Sequence, residues 1–269
     1  PEHLTAREWK QQWGVDNTNR MSIARSLVVE TIFVIGALLL SFAFYQAYWT
    51  NLEAGDKQAA ASDTLSAQWK NPRTMQHPEL GDAFARMYIP AFGADYQFAI
   101  VEGVQDADLE VGPGHYPDSQ MPGEKGNFAV AGHRVGTGAP FNDLGKLKAC
   151  DAIVVETQTE WFTYRVLPME DEDRRAGCFT PEQQTNLATG QYSQVVGRHI
   201  TTPEDVSVVD KVPGHKDGDE MGMESLITLT TCHPQFSAAE RMIIHGMEVE
   251  RIDKSTGKKP CLLYTSDAA

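Results

Sequence analysis

The stretch ITLTTCHPQ, residues 227–235, reads as a β-strand that ends in a turn. Ile227, Thr228, Thr230 and Thr231 are β-branched and favour extended backbone, and Pro234, which cannot donate to a ladder, closes the run. Cys232 therefore arrives at a strand end, where a thiol is presented rather than packed away. Arg241 follows nine residues later, at the start of a second short apolar run. A free thiol ionises near 8.5, so a cation or a base must raise the thiolate fraction before Cys232 can attack anything near neutral pH. Acyl transfer needs two further groups: a proton donor for the leaving amine, and a fixed charge or donor where the oxyanion develops. His133, in NFAVAGHRVGTGAPF (residues 127–141), follows an apolar, strand-like run and precedes a Gly-rich loop, which would project its side chain into a cleft. Cys232, His133 and Arg241 form the candidate catalytic constellation.

Three other histidines compete for the role of base. His115 lies in the turn GPGHYP and could line the cleft or orient a loop; with Tyr116 and Thr231 it is a candidate substrate-binding residue. Thr231, directly before the cysteine, offers a hydroxyl or backbone group near the reacting centre. His233 is adjacent to Cys232 and points to the opposite face of an extended strand. His245 shares the parity of Arg241 and Ile243, and packing is its expected role.

Four blocks in this order carry a resemblance to the sortases, most closely to the class E sortases of high-GC Gram-positive bacteria. They are ETIFVIGALLLSFAFYQAYWTN (30–51), GPGHYPDSQMPGEKGNFAVAGHRVGTGAPFNDL (112–144), DAIVVET with WFTYRV (151–157 and 161–166), and LITLTTCHPQFSAAERMIIHG (226–246). The resemblance implies an eight-stranded β-barrel and a cysteine transpeptidase that cleaves an LPxTG- or LAxTG-like sorting signal between Thr and Gly. Cys232 would form a thioester, His133 would protonate the departing amine, and Arg241 would stabilise the oxyanion or hold the peptide. The acyl group would pass to an amine of a cell-wall precursor such as lipid II. The implied partners are secreted proteins with C-terminal sorting signals, the peptidoglycan acceptor and the membrane, and no cofactor is called for. A pilus-polymerising sortase and a membrane-tethered cysteine peptidase acting by hydrolysis are the alternatives. An L,D-transpeptidase would show a Ser-His-Gly-Cys neighbourhood, whereas Cys232 follows Thr-Thr. A binding module without turnover leaves the intact triad unexplained.

The remaining residues bound the architecture. Residues Thr31 to Trp49 run without a charge, enough to cross a hydrocarbon core of roughly 30 Å as a helix. Arg7, Lys10, Arg20 and Arg25 precede that span, which predicts a cytoplasmic N-terminus and an extracytoplasmic catalytic part. Tyr45, Tyr48 and Trp49 gather at its outer end as an interfacial belt would. The expected organisation is a cytoplasmic segment at 1–29, a single-pass signal anchor at 30–50, an extracytoplasmic linker at 51–82, a catalytic domain at 83–252 and a tail at 253–269. That tail reads as non-native, and with no initiator Met both ends are expected to be incomplete or altered. A net charge of −14 with no basic cluster excludes a nucleic-acid footprint.

Eight short strands are predicted, at residues 85–89, 98–102, 127–132, 152–157, 161–167, 205–209, 225–231 and 242–251, a pattern that suits a closed or nearly closed barrel. Single short helices are expected at 63–70 and 144–148. Residues 168–222 resemble the sortases least. They read as a long, partly inserted connection, either a solvated loop or a flank of the substrate groove. Cys150 and Cys178 could bridge this insertion to the barrel. The acidic runs 170–173 and 217–220 could take Ca²⁺, although neither has an ordered ligand spacing.

Overall fold

The computed structural model describes residues 6–45, 49–70, 78–215 and 222–263. Tyr48, the acidic run 217–220 and the last residues of the tail lie outside them. The chain forms two compact units, 1–49 and 50–269.

The first unit is one helix, α1 (Ala6–Phe44). Its apolar part, Ile23–Phe44, is long enough to cross a membrane, and Phe33 and Leu40 on it are 78% and 74% exposed. The apolar helix thus begins earlier than the uncharged run at Thr31.

The second unit is a β-barrel. Its strands are β1 (Ala83–Tyr88), β2 (Gln97–Glu102), β3 (Gly114–His115), β4 (Gly126–Ala131), β5 (Ala152–Glu156), β6 (Glu160–Val166), β7 (Arg198–Thr201), β8 (Ser225–His233) and β9 (Glu240–Asp253). Eight of them close a ring in the order β6-β5-β1-β2-β3-β4-β8-β9, with β9 returning to β6; β7 pairs with β9 outside the ring. The expected eight-stranded barrel is therefore present, with two differences in membership. Residues 205–209 are not a strand, since Val206–Val209 form a 3-10 turn. The two-residue β3 takes that place in the ring.

Alternation along β4, β8 and β9 sorts side chains onto two faces. Phe128, Val130, Ile227, Leu229 and Ile244 belong to the main core with Met87, Ile153 and Tyr164. Leu226 and Met247, on the opposite face, join a second cluster with Leu167, Phe179, Leu187, Tyr192 and Val212. This second core explains why β4 and most of β8 are buried on both faces and read as continuous apolar and Thr-rich runs.

The insertion 168–222 supplies most of that cluster, so it is a packed layer rather than a loop in solvent. It contains a helix, α4 (Pro181–Thr189), started by Pro181 at its first turn and a capping box between Thr180 and Gln183. A Cys150–Cys178 disulfide ties it to the barrel.

Residues 51–82 were expected to be a linker with one short helix. Instead α2 (Thr50–Trp69) runs twenty residues and packs on the barrel through Ala54, Ala61 and Leu65. The Gln58 carboxamide accepts from Ala99 N (2.8 Å) and donates to Ala99 O (3.1 Å). It acts as a ladder partner for the part of β2 that the short β3 does not cover. A four-residue helix, α3 (Asp106–Leu109), follows β2. The turn expected near residues 144–148 is a 3-10 turn at Leu144–Lys146.

Candidate active site

Two strand registers build the site. β4 and β8 are parallel, with Ala129 opposite Thr228 and Ala131 opposite Thr230. Gly132 N continues the ladder to Thr230 O at 3.1 Å, so the next step along both chains brings His133 to the level of Cys232. On the other side β9 runs antiparallel, with Cys232 directly opposite Arg241. Paired residues in a sheet share a face, so Cys232 and Arg241 lie together on the outer face of the barrel wall, and His133 follows the end of β4 at the same end of the barrel. His133 and Arg241 lie about 100 positions apart in sequence, and the pairing of β4 and β9 on either side of β8 brings their segments to one end of the barrel.

The residue before His133 must be small. A Cβ on Gly132 would fall 2.5 Å from the ring of Phe141, which is fully buried. Phe141 N also donates to His133 O at 3.0 Å, so the loop that follows the histidine folds back and fixes its backbone.

Cys232 is a free, partly buried thiol. His133 is partly buried, and burial holds its imidazole below the usual histidine range, while the carboxylates of Asp106 and Glu110 pull the other way. Arg241 donates through Nη1 to the carbonyls of Ala238 and Glu240, both at 3.1 Å, which folds its guanidinium onto the hairpin that follows the cysteine.

The other residues singled out from the sequence take different places. Thr231 is buried and its hydroxyl donates to Gly132 O at 2.7 Å. It latches β8 to β4 just below the cysteine and histidine, so its hydroxyl is spent within the wall rather than offered to a ligand. His115 is 1% exposed. Its Nδ1 lies 2.7 Å from Glu102 Oε2, and its Nε2 meets Ser119 Oγ at 2.9 Å and Gln120 O at 3.1 Å. His115 does not line a cleft; it holds the loop 116–120. Tyr116 is on that loop and does reach the outer face, where its hydroxyl lies 2.9 Å from Thr230 Oγ1, one pleat from Cys232.

His233 turns away from the cysteine, and its Nδ1 accepts from Arg134 Nη1 at 2.7 Å. The same Nη1 donates to Cys232 O at 3.3 Å. Arg134 was passed over in reading the sequence, although it is adjacent to His133; it joins the ends of β4 and β8 and places a second cation on the backbone of the nucleophile. The remaining missed residues are Glu102 and Asn127, polar groups inside apolar strands, which are the ordinary signal of a specific buried partner.

His245 lies on the outer face but is buried beneath the insertion, stacked on His199 with ring centroids 5.5 Å apart. Thr228 donates to Asn127 Oδ1 at 2.7 Å and so accepts from His245 Nδ1 at 2.8 Å. Burial pushes His245 down to about 3. The unfolded chain binds this proton near 6.5 and the folded chain does not, so stability is full above about pH 6.5 and is lost as pH falls toward 3. A single such group gives a slope of about 1.4 kcal/mol per pH unit in that window. Thermal melting between pH 7 and pH 4 should show this loss. The slope should flatten in His245→Asn, which keeps a donor toward Thr228 but cannot charge.

Beside Tyr116 lies a cavity of about 570 Å³, walled on one side by residues 116–120, on another by 209–211, and closed by Leu80 and Gly103. None of the three candidate catalytic residues lines it; Tyr116 links it to the face that carries Cys232. Among the described residues no cluster of three or more His, Cys, Asp or Glu side chains could hold a metal ion. In the acidic run 170–173, Glu172 accepts from Met169 N and Asp173 from Arg175 N, so both cap their own turn.

A sortase-domain family model matches residues 87–249. Sortase SrtE1 of Streptomyces coelicolor is 34% identical over 252 residues, which are 90% of this chain and 62% of that protein. The chain thus spans under two thirds of that relative's length. Among solved structures, the SrtF sortase of Corynebacterium diphtheriae is 60% identical with a TM-score of 0.68, covering 72% of this chain and 97% of that one. Sortase E1 from Streptomyces coelicolor, solved with a tripeptide in the active site, is 32% identical with a TM-score of 0.52 over 69% of this chain and 99% of its own.

Proposed function

Because the chain belongs to the sortase family, we propose that it is a membrane-anchored cysteine transpeptidase acting on an LPxTG- or LAxTG-like sorting signal. One observation supports the reading. Cys232 is paired with Arg241 across β8 and β9, and the β4–β8 pairing ends two residues before His133, which would bring a base to the same end of the barrel.

The chemistry follows from those three groups. The Cys232 thiolate attacks the carbonyl carbon of the Thr-Gly bond, and the carbonyl π electrons move onto oxygen. Arg241 faces that developing oxyanion with the N–H groups it does not use on its own hairpin. The C–N bond then breaks, and the imidazolium of His133 gives its proton to the departing glycine nitrogen. A thioester remains on Cys232. An incoming amine of a cell-wall precursor attacks the thioester, His133 takes the surplus proton, and the thiolate leaves. Covalent catalysis thus replaces one difficult amide exchange with two easier steps.

The donor peptide would lie along the outer face past Thr230 and Tyr116, with residues upstream of the scissile bond in the adjoining cavity. The tripeptide in the active site of the Streptomyces coelicolor Sortase E1 structure supports a peptide groove in this family. The helix Ile23–Phe44 would anchor the chain as a single span. The basic residues toward its N-terminal end support a cytoplasmic N-terminus with the catalytic unit outside.

The test uses the full chain in detergent with LAxTG and LPxTG peptides, with and without a small amine, read by intact mass. Cleavage between Thr and Gly, a thioester adduct and an amine-dependent ligation product are expected together. Cleavage with no ligation would make the protein a peptidase, and no cleavage of either peptide would overturn the sorting-signal assignment.

A further inference from the structure

The cavity beside Tyr116 has two walls that come from distant parts of the chain, and one buried residue touches both, one through its side chain and the other through its backbone. Asn127, on β4, is fully buried. Its Nδ2 donates to Val208 O at 3.2 Å and to Asp210 O at 3.0 Å, both in the insertion. Its Oδ1 accepts from Thr228 Oγ1, which in turn meets His245. Its backbone pairs with Gln120 on the opposite wall: Asn127 N donates to Gln120 Oε1 and Gln120 N donates to Asn127 O, each at 3.0 Å.

Every hydrogen-bonding group of the carboxamide is therefore occupied, and the pattern demands an amide. Two donors meet two carbonyl oxygens while one acceptor meets a hydroxyl, a combination that among the neutral side chains only a carboxamide supplies. An aspartate of the same shape would set a carboxylate against two carbonyls. The 116–120 wall has a second brace of its own, since Ser119 Oγ donates to Tyr116 O and takes Ala129 N on the barrel. The 209–211 wall has no strand pairing with β4, and Asn127 is where it is hydrogen-bonded to that strand.

We propose that Asn127 is a positioning residue for donor recognition, clipping the 208–210 segment of the insertion onto β4 and thereby setting the width of the cavity that receives the donor peptide. The insertion is then a specificity wall of this enzyme rather than a surface elaboration, and the cavity is formed before any peptide arrives. Preorganisation of this kind acts on binding, because the ordering of the wall is not charged against the incoming peptide. Asn127 lies on the outer face two pleats or more from Cys232 and does not touch the reacting atoms. This inference rests on the reading of the cavity as the donor site.

The experiment uses the full chain carrying Asn127→Asp and, as the milder change, Asn127→Ser, which keeps a single hydroxyl. Three quantities are read: hydrogen exchange of the 206–211 amides, kcat and KM for the LAxTG peptide, and the rate of Cys232 alkylation by iodoacetamide. Loss of the paired donors should raise exchange at 206–211 and KM by about tenfold or more in Asn127→Asp, and by less in Asn127→Ser. Both kcat and alkylation should remain near the wild-type values. Unchanged protection of 206–211 in both variants would overturn the role given to Asn127. Raised exchange with an unchanged KM would instead remove the cavity from donor binding while leaving the chemistry at Cys232 intact. A fall in kcat and alkylation matching the change in KM would also overturn the proposal, since it would show a general loss of the active fold.

Discussion

Cys232→Ala is expected to abolish thioester formation and transfer while leaving the barrel and its peptide groove in place. The side chain is small and only partly buried, so its removal opens little space in the wall. Thr231 still latches β8 to β4, and Arg134 still bonds the carbonyl of residue 232, because neither contact uses the thiol. What disappears is the thiol to which the proposed mechanism assigns the acyl intermediate. Loss of a covalent nucleophile costs on the order of 10⁶ in kcat where it has been dissected, leaving only the background from binding and oxyanion stabilisation. Intact mass should show no adduct, and a labelled peptide should bind with near wild-type affinity. Cys261 is the other free cysteine and is exposed, so Cys261→Ala provides the control and should behave as wild type. Retained turnover in Cys232→Ala, or its loss in Cys261→Ala, would move the nucleophile elsewhere.

His133→Ala is expected to lower kcat/KM by about 10² to 10⁴, the range for removal of a positioned general acid–base group. Neither His115 nor His245 can substitute, since both are buried with their partners already engaged. The pH profile carries a further signature. The leaving amine needs the imidazolium, so activity falls as pH rises through the apparent ionisation of the His133 and Cys232 pair. Burial of His133 moves that alkaline limb to lower pH, and the charges of Asp106 and Glu110 move it back. Glu110→Gln should therefore shift the limb to lower pH. The shift should be small, because Lys57 Nζ lies 2.8 Å from the Glu110 carboxylate and offsets much of its charge. Activity that rises rather than falls with pH through this ionisation would mean that His133 acts from its neutral form instead.

Much of this arrangement was readable in the residues. The strands with β-branched and aromatic runs fell where expected, because a pattern of five to nine consecutive side chains is enough to specify extended backbone. The two short strands did not, since two or four residues carry no alternation to detect, and β3 in particular is the Gly114–His115 pair inside a turn-rich segment. Residues 205–209 looked like a strand for the same reason in reverse: Val206, Val208 and Val209 favour extension, but the segment winds into a 3-10 turn in which Ser207 Oγ donates to Asp205 Oδ1. The long helix α2 was hidden by its own composition. Its inward face is made of Ala54, Ala61, Leu65 and Trp69, mostly too small to register as an apolar stripe, although their spacing of seven, four and four is helical.

The sequence by itself determined the class of chemistry and the class of fold. A thiol at a strand end, an arginine at the next strand and a histidine before a Gly-rich loop are local features, written in adjacent residues. Tertiary structure alone decided which groups meet. His133 reaches the level of Cys232, His115 and Thr231 turn into braces within the wall, and the insertion becomes one side of a cavity held by Asn127. Each of those outcomes depends on strand register and barrel closure between segments up to about 100 residues apart. Register is set by the fit of the whole core, where a shift of one residue would turn every side chain of a strand to the wrong face.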